Sequence, residues 1–205
     1  VAGSIGEING ANNSARDWVS VEREANVRTT TKDIVTGDIG RAGVDSNYVM
    51  SYLNEGPSAV PGVVFQDVFT IPAGDAGFVL RSATRTPGSV ACPASPAPGL
   101  VATTTAGGVS YANPTGGALT LAITCPAIDL VHRQSESVLV SIRPNVDAGN
   151  NPGGRRFDNN ASFTIAGGAN GVDADGAFNF NTDTADDDQD ASLTFESGVA
   201  DLIVN

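Results

Sequence analysis

Asn47-Tyr48-Val49-Met50-Ser51-Tyr52-Leu53 places Tyr48, Met50 and Tyr52 on one face and Val49, Ser51 and Leu53 on the other. That period of two is the mark of a strand with one side turned to a core. Ser137-Val138-Leu139-Val140-Ser141-Ile142 repeats the pattern, with Val138, Val140 and Ile142 together, and Pro144 ends the run. Weaker strands are expected over residues 62–68, 78–83, 119–125, 161–165 and 193–195, with turn residues between them. No stretch sustains the 3, 4, 7 spacing of an amphipathic helix. The reading is therefore all-β, with about seven to nine strands, the count of an immunoglobulin-like antiparallel sandwich. The composition agrees, because 24 Gly, 11 Pro and only 6% aromatic residues suit short strands joined by many turns.

The 205 residues are enough for a core of their own. Eleven Lys and Arg against twenty-three Asp and Glu give a net charge of -12, which argues against nucleic acid and against an anionic membrane surface, since both must be gripped through phosphates. No apolar run is long enough to insert in a bilayer, and Val1-Ala2-Gly3-Ser4 resembles neither a signal peptide nor an initiator, so a processed chain or a segment of a longer one is expected. His132 is the only imidazole. Metal centres with several His ligands are thereby excluded, and a Ser-His-Asp arrangement is left a single base with no Gly-x-Ser-x-Gly turn to serve. An exposed loop histidine is the reading for His132.

The two ends of the chain resemble each other. Asn12-Asn13-Ser14-Ala15-Arg16-Asp17-Trp18-Val19-Ser20-Val21-Glu22, followed by Ala25-Asn26-Val27, parallels Asp187-Asp188-Gln189-Asp190-Ala191-Ser192-Leu193-Thr194-Phe195-Glu196, followed by Ala200-Asp201-Leu202. Setting Ala25 against Ala200 gives a repeat of about 175 residues. Residues 1–24 then read as the tail of a preceding repeat or an exchanged strand, 25–200 as the repeat domain and 201–205 as the start of the next. Chance similarity between two polar turns, each followed by a strand, is the alternative.

From Tyr48 onward the chain resembles the conserved repeat domain of bacterial surface proteins known as domain of unknown function eleven. Asn54-Glu55-Gly56-Pro57-Ser58 is similar to its Asn-Asn-Gly-Pro-Ser turn. Gly62-Val63-Val64-Phe65-Gln66-Asp67-Val68-Phe69-Thr70-Ile71-Pro72-Ala73-Gly74 is similar to its Gly-Val-x-Val-x-Asp-x-Leu-Pro-x-Gly block, and Phe78-Val79-Leu80-Arg81-Ser82-Ala83-Thr84 to the strand after it. Thr124-Cys125-Pro126 and residues 135–144 resemble the next strand pair, and Ala200-Asp201-Leu202 the opening of each unit. Two departures stand out: the Gly-, Asn- and Asp-rich segment 149–190 is long, and Asn26 occupies the place of the usual Asp. The resemblance implies an exported immunoglobulin-like sandwich strung in tandem as a stalk or spacer, and it implies no activity.

Cys92 and Cys125, each followed by Pro, form an even pair in a chain read as exported, and are expected to be a disulfide rather than buried thiols. The stretch between them is rich in Pro, Gly, Ala and Thr and offers little hydrophobic means of ordering itself. No cofactor is expected. Asp183, Asp186, Asp187, Asp188 and Asp190 could offer oxygen ligands to calcium, against the reading of a solvated charge run, and Asp173-Ala174-Asp175-Gly176 fails the spacing of an EF-hand. Lys32 is the only lysine and falls in the first strand of the repeat, while Asp158-Asn159-Asn160 precedes a late one. Surface-fibre sandwiches of another family join such residues in an isopeptide bond, but the reading preferred here is a surface lysine near a polar turn. Trp18, Val19, Val21, Leu202 and Val204 are the residues expected at an interface between units, with Trp18 either its aromatic anchor or an ordinary core or strand-edge residue.

The function expected from these readings is that of a non-enzymatic structural unit of an extracellular filament, stalk or surface fibre. Its partners are copies of itself, met end to end through terminal strands. The other reading is an adhesin or carbohydrate-binding module that uses segment 149–190, since long loops without structure are often functional.

Overall fold

The structure is a computed structural model that describes residues 27–35, 43–145, 155–165 and 189–195. Thirteen strands run in chain order: β1 (Val27–Ile34), β2 (Ser46–Asn54), β3 (Val60–Ile71), β4 (Phe78–Thr86), β5 (Val90–Ala91), β6 (Ala94–Pro96), β7 (Val101–Thr105), β8 (Gly108–Ala112), β9 (Leu119–Thr124), β10 (Ile128–Leu130), β11 (Ser135–Pro144), β12 (Arg155–Ile165) and β13 (Gln189–Phe195). Among the described residues there is no helix. One sheet has the order β1-β2-β11-β4-β8-β7, with β5 beside β4, and the other has the order β13-β12-β3-β9-β6, with β10 beside β3. Every pairing is antiparallel. The molecule is an all-β antiparallel sandwich of two sheets.

Periodicity along β2 is as the sequence requires: Tyr48, Met50 and Tyr52 are buried, whereas Val49, Ser51 and Leu53 on the opposite face are only half-buried. Val138, Val140 and Ile142 of β11 are likewise buried, and the strand ends at Pro144. The opposing sheet supplies Val63, Phe65, Phe69 and Ile71 from β3 and Phe157, Ala161, Phe163 and Ile165 from β12. Aromatic rings join the layers. Tyr52 stacks on Phe65 with centroids 4.1 Å apart, Tyr48 meets Phe69 edge-on at 5.8 Å, and Phe78 lies against both Phe69 and Phe157. Such pairs add to burial through the ring quadrupole, about 0.5–1.5 kcal/mol each.

The strand count exceeds the seven to nine expected. The excess lies largely between residues 90 and 130, where β5 to β8 and β10 are two to five residues long. The stretch between the cysteines is also more ordered than its composition implied, because backbone pairing does what apolar side chains do elsewhere. β8 lies on β4, β7 on β8, and β6 on β9, and only Tyr111, Asn113, Leu121 and Ile123 are buried between residues 93 and 124. Two glycines permit the close approach of β8 to β4. A Cβ on Gly77 (φ +69°) would lie 1.7 Å from the carbonyl oxygen of Tyr111, and one on Gly108 (φ +141°) would lie 2.1 Å from that of Leu80.

Residues 1–24 and 201–205, proposed from the sequence as parts of neighbouring repeats, lie outside the described residues, as does most of segment 149–190.

Candidate functional site: a buried lysine, carboxylate and amide between the sheets

β1 forms one edge of its sheet and faces β12 and β13 across the sandwich. Val27 is buried, so an unbroken alternation would turn residues 29 and 31 inward and Lys32 outward. A bulge between Thr29 and Thr31 breaks that phase: Thr29 pairs with Tyr52 but Thr31 pairs with Ser51, which brings Lys32 opposite the inward-facing Met50. The lysine side chain consequently enters the sandwich and retains only 5% exposure. This corrects the expectation of a surface lysine, and the bulge is the physical reason.

Three polar groups meet it there. Asp67 on β3 is in phase with Val63, Phe65, Phe69 and Ile71, and is as buried as they are. Asn159 on β12 is in phase with Phe157, Ala161 and Phe163. Asp67 stands opposite Ala161 and Asn159 opposite Phe69, so the two side chains are diagonal neighbours on one face of the sheet. Tyr48 reaches across from β2. Lys32 Nζ donates to Asp67 Oδ1 at 3.2 Å and to the backbone carbonyl of Asn159 at 2.9 Å, while the Tyr48 hydroxyl donates to Asp67 Oδ2 at 2.5 Å. The side-chain amide of Asn159 is fully buried and makes no hydrogen bond of good geometry. It nevertheless lies close enough to Asp67 and Tyr48 to draw both of their pKa values downward.

The net shifts run the other way. Burial raises the Asp67 carboxyl above its ordinary value, and the Lys32 charge, the hydrogen bonds from Tyr48 and Lys32 and the nearby Asn159 amide only partly offset it. Burial raises the Tyr48 phenol well above its ordinary value, and the adjacent Asp67 adds to the effect. The result is a buried cluster holding an amine, a carboxyl that resists ionisation and an amide that makes no hydrogen bond of good geometry. An unsatisfied buried amide costs about 1–3 kcal/mol.

Cys92 and Cys125 are joined as expected, with S–S 2.00 Å and a sequence separation of 33. The Cys92 N–H donates to Ala83 in one sheet and the Cys125 N–H to Phe65 in the other, so the disulfide also spans the sandwich. Nearby, Arg85 is buried against Glu136 at 3.6 Å and donates to the carbonyl of Pro126, next to Cys125. His132 is an exposed loop residue, as read from sequence; its Nδ1 lies 2.7 Å from the Gly56 carbonyl and so pins the Gly56 turn. The calcium candidates Asp183, Asp186, Asp187 and Asp188 lie outside the described residues. Asp190 stands on β13 opposite Asn160, and the described residues contain no cluster of three acidic, His or Cys side chains placed to hold a metal. Trp18, Val19, Val21, Leu202 and Val204 also lie outside the described residues.

Asp67 and Asn159 were accessible to sequence reading as polar residues standing in the apolar phase of their strands. Asp67 is instead absorbed there into a block resemblance, and Lys32 is hidden by the bulge.

No protein-family model matches the chain, and no curated protein matches it; the resemblance to domain of unknown function eleven therefore rests on the quoted blocks. Among solved structures, the chain is similar to a protein that catalyses macrocyclization in alchivemycin A biosynthesis, at 14% identity over 91% of this chain and 97% of that one, TM-score 0.47. It is similar to an uncharacterized Nocardia farcinica protein with an immunoglobulin-like fold, at 16% identity over 84% and 97%, TM-score 0.31. It is also similar to the collagen-binding domain of a Staphylococcus aureus adhesin, at 12% identity over 87% and 99%, TM-score 0.30. A disulfide of this kind is compatible with an extracellular chain; among the described residues no helix is long and apolar enough to cross a membrane.

Proposed function

We propose that this chain is a non-catalytic structural unit of an extracellular filament, stalk or surface fibre, joined end to end with copies of itself through its terminal strands. The observation that carries this reading is the double tie between the sheets. The Cys92–Cys125 disulfide holds them together toward one side of the strand order, and Lys32, anchored to Asp67 and Asn159, holds them toward the other. A sandwich fixed at both flanks resists sliding of one layer over the other, which is the demand that tension along a fibre makes.

The mode of joining has support in the topology. β1 and β13, the first and last described strands, are edge strands of the two sheets, and among the described residues neither has a strand on its outer side. Unpaired edges of this kind accept an added strand through main-chain hydrogen bonds. On this reading residues 1–24 and 201–205 form the junctions, and the acidic surface keeps fibres from bundling.

Electron microscopy of native material, paired with its mass on a denaturing gel, tests the proposal. Fibres that run far above 20.8 kDa would mean a covalent tandem array, and fibres that fall to 20.8 kDa would mean strand exchange between subunits. Isolated particles would overturn the filament reading in favour of the adhesin or carbohydrate-binding module.

A further inference from the structure

We propose that Lys32 and Asn159 are joined by an intramolecular isopeptide bond between Nζ and Cγ, formed by the chain itself, with Asp67 moving the proton. The proposal goes beyond the filament reading and holds whether or not the chain assembles.

Its first support is the coincidence of three reactive partners in one buried place. Nζ of the only lysine hydrogen-bonds both to Asp67 and to the backbone of the asparagine whose side-chain amide is buried without a good hydrogen bond. As an arrangement for stability this is a poor one. Burying a charged pair gains little over apolar residues of the same size, and the orphaned amide adds a penalty. As a set of reactants it is apt, because packing of the two sheets and the hydrogen bond from Nζ to the Asn159 carbonyl hold amine and amide close, and proximity of that kind replaces a bimolecular encounter.

The second support is the state of Asp67. Where water is scarce, a proton passes from the lysine ammonium to the carboxylate at small cost, since the transfer converts two buried charges into two neutral groups. Burial already favours the protonated carboxyl. The Tyr48 hydroxyl occupies Oδ2, which leaves Oδ1 as the oxygen that faces Nζ.

The step balances without oxidant or cofactor. Neutral Nζ attacks Cγ of Asn159, while the protonated Asp67 donates to the amide oxygen and offsets the charge that develops there. The tetrahedral adduct then collapses: the Cγ–Nδ2 bond breaks, and the proton lost by Nζ is carried by Asp67 to the leaving nitrogen, which departs as ammonia. One N–C bond forms, one breaks, and nothing is oxidised or reduced. The product holds no ammonium, and Asp67, freed from the charge that lowered its pKa, remains as a neutral donor beside the new amide.

The test is the intact mass of the purified, reduced and denatured chain, followed by tryptic mapping. The expected mass is about 17 Da below that of the sequence, the loss of one ammonia. The lost ammonia should map to peptide 29–41, uncut at Lys32 and joined to the peptide that begins at Phe157. Lys32→Arg and Asn159→Ala should each restore the full mass, and so should Asp67→Ala, although it keeps both partners. Should any of these fail to fold, Asn159→Asp decides the matter: it should lose water instead of ammonia and reach the same final mass as the natural chain. A natural chain of full sequence mass, or an ammonia loss mapped to any other residue, would overturn the proposal.

Discussion

The two ties between the sheets are built on opposite principles. Cys92 and Cys125 are 33 positions apart, and their bond acts mainly by restricting the unfolded chain. Lys32 and Asn159 are 127 positions apart, and their cluster draws on four strands, β1, β2, β3 and β12. One tie needs two residues of a reactive kind and a suitable distance. The other needs a bulge in β1, a phase in β3 and a phase in β12 to coincide. A cross-link can thus be specified by residue identity or by register, and the second kind leaves far less trace in the sequence.

Breaking the register-specified tie should cost the most. Measured against Asn159→Ala, which keeps the lysine amine but cannot form the amide, Lys32→Met leaves Asp67 buried without its cation, and removal of one member of a buried pair costs about 3–5 kcal/mol. The loss should depend on pH. The folded-state pKa of Asp67 is already raised, and loss of the lysine charge raises it further. A carboxyl of this kind supports the fold fully below its unfolded pKa and loses that support as pH rises through the folded one. Urea unfolding should therefore show the deficit of the variant small at about pH 4 and larger at about pH 7. A deficit that is the same at both would mean that Asp67 does not carry it.

The disulfide comes next. The paired substitution Cys92→Ala and Cys125→Ala should lower stability by about 3–4 kcal/mol, the closure entropy of its loop. Combined with Lys32→Met, the two losses should add to within about 0.5 kcal/mol, because the ties share no partners. A larger coupling between them in denaturant midpoints would show that the two flanks act as one unit.

The smallest effect sharpens the comparison from outside. Asp45 holds Arg143 at 2.8 Å and Arg81 at 3.4 Å, with 35% of its side chain exposed. The hydrogen bond from Arg143 keeps its carboxyl below the ordinary value; burial opposes it, and the charges of Arg143 and Arg81 add to the lowering. Its contribution is present above the unfolded pKa and fades as pH falls through the folded one, the reverse of Asp67. Solvent and salt screen such a pair. Asp45→Asn should change the melting temperature by little, and by less still in high salt.

What was legible in the sequence follows the same division. The inward set of β2 and of β11, and the cysteine pairing, needed only local alternation and a count of two. The strands between residues 90 and 112 were not legible, because Gly, Ala, Thr and Pro carry no phase when most of the side chains are exposed and backbone pairing alone orders them. Asp67 could be seen, as a carboxylate between Phe65 and Phe69. Lys32 could not, since a single extra residue in β1 reverses which face it occupies, and nothing in Thr29-Thr30-Thr31 announces the bulge.

The disulfide loop lies wholly inside the span from Lys32 to Asn159, and nesting has a consequence for length. A chain drawn out from its ends would have about 110 Å of contour withheld by the disulfide, at 3.3–3.6 Å per residue. With the outer amide in place, the whole inner span is bypassed and the disulfide withholds nothing further. Reduction would then lengthen a stretched unit only where the outer link is missing, which makes the inner bond a second stop, engaged after the first has failed.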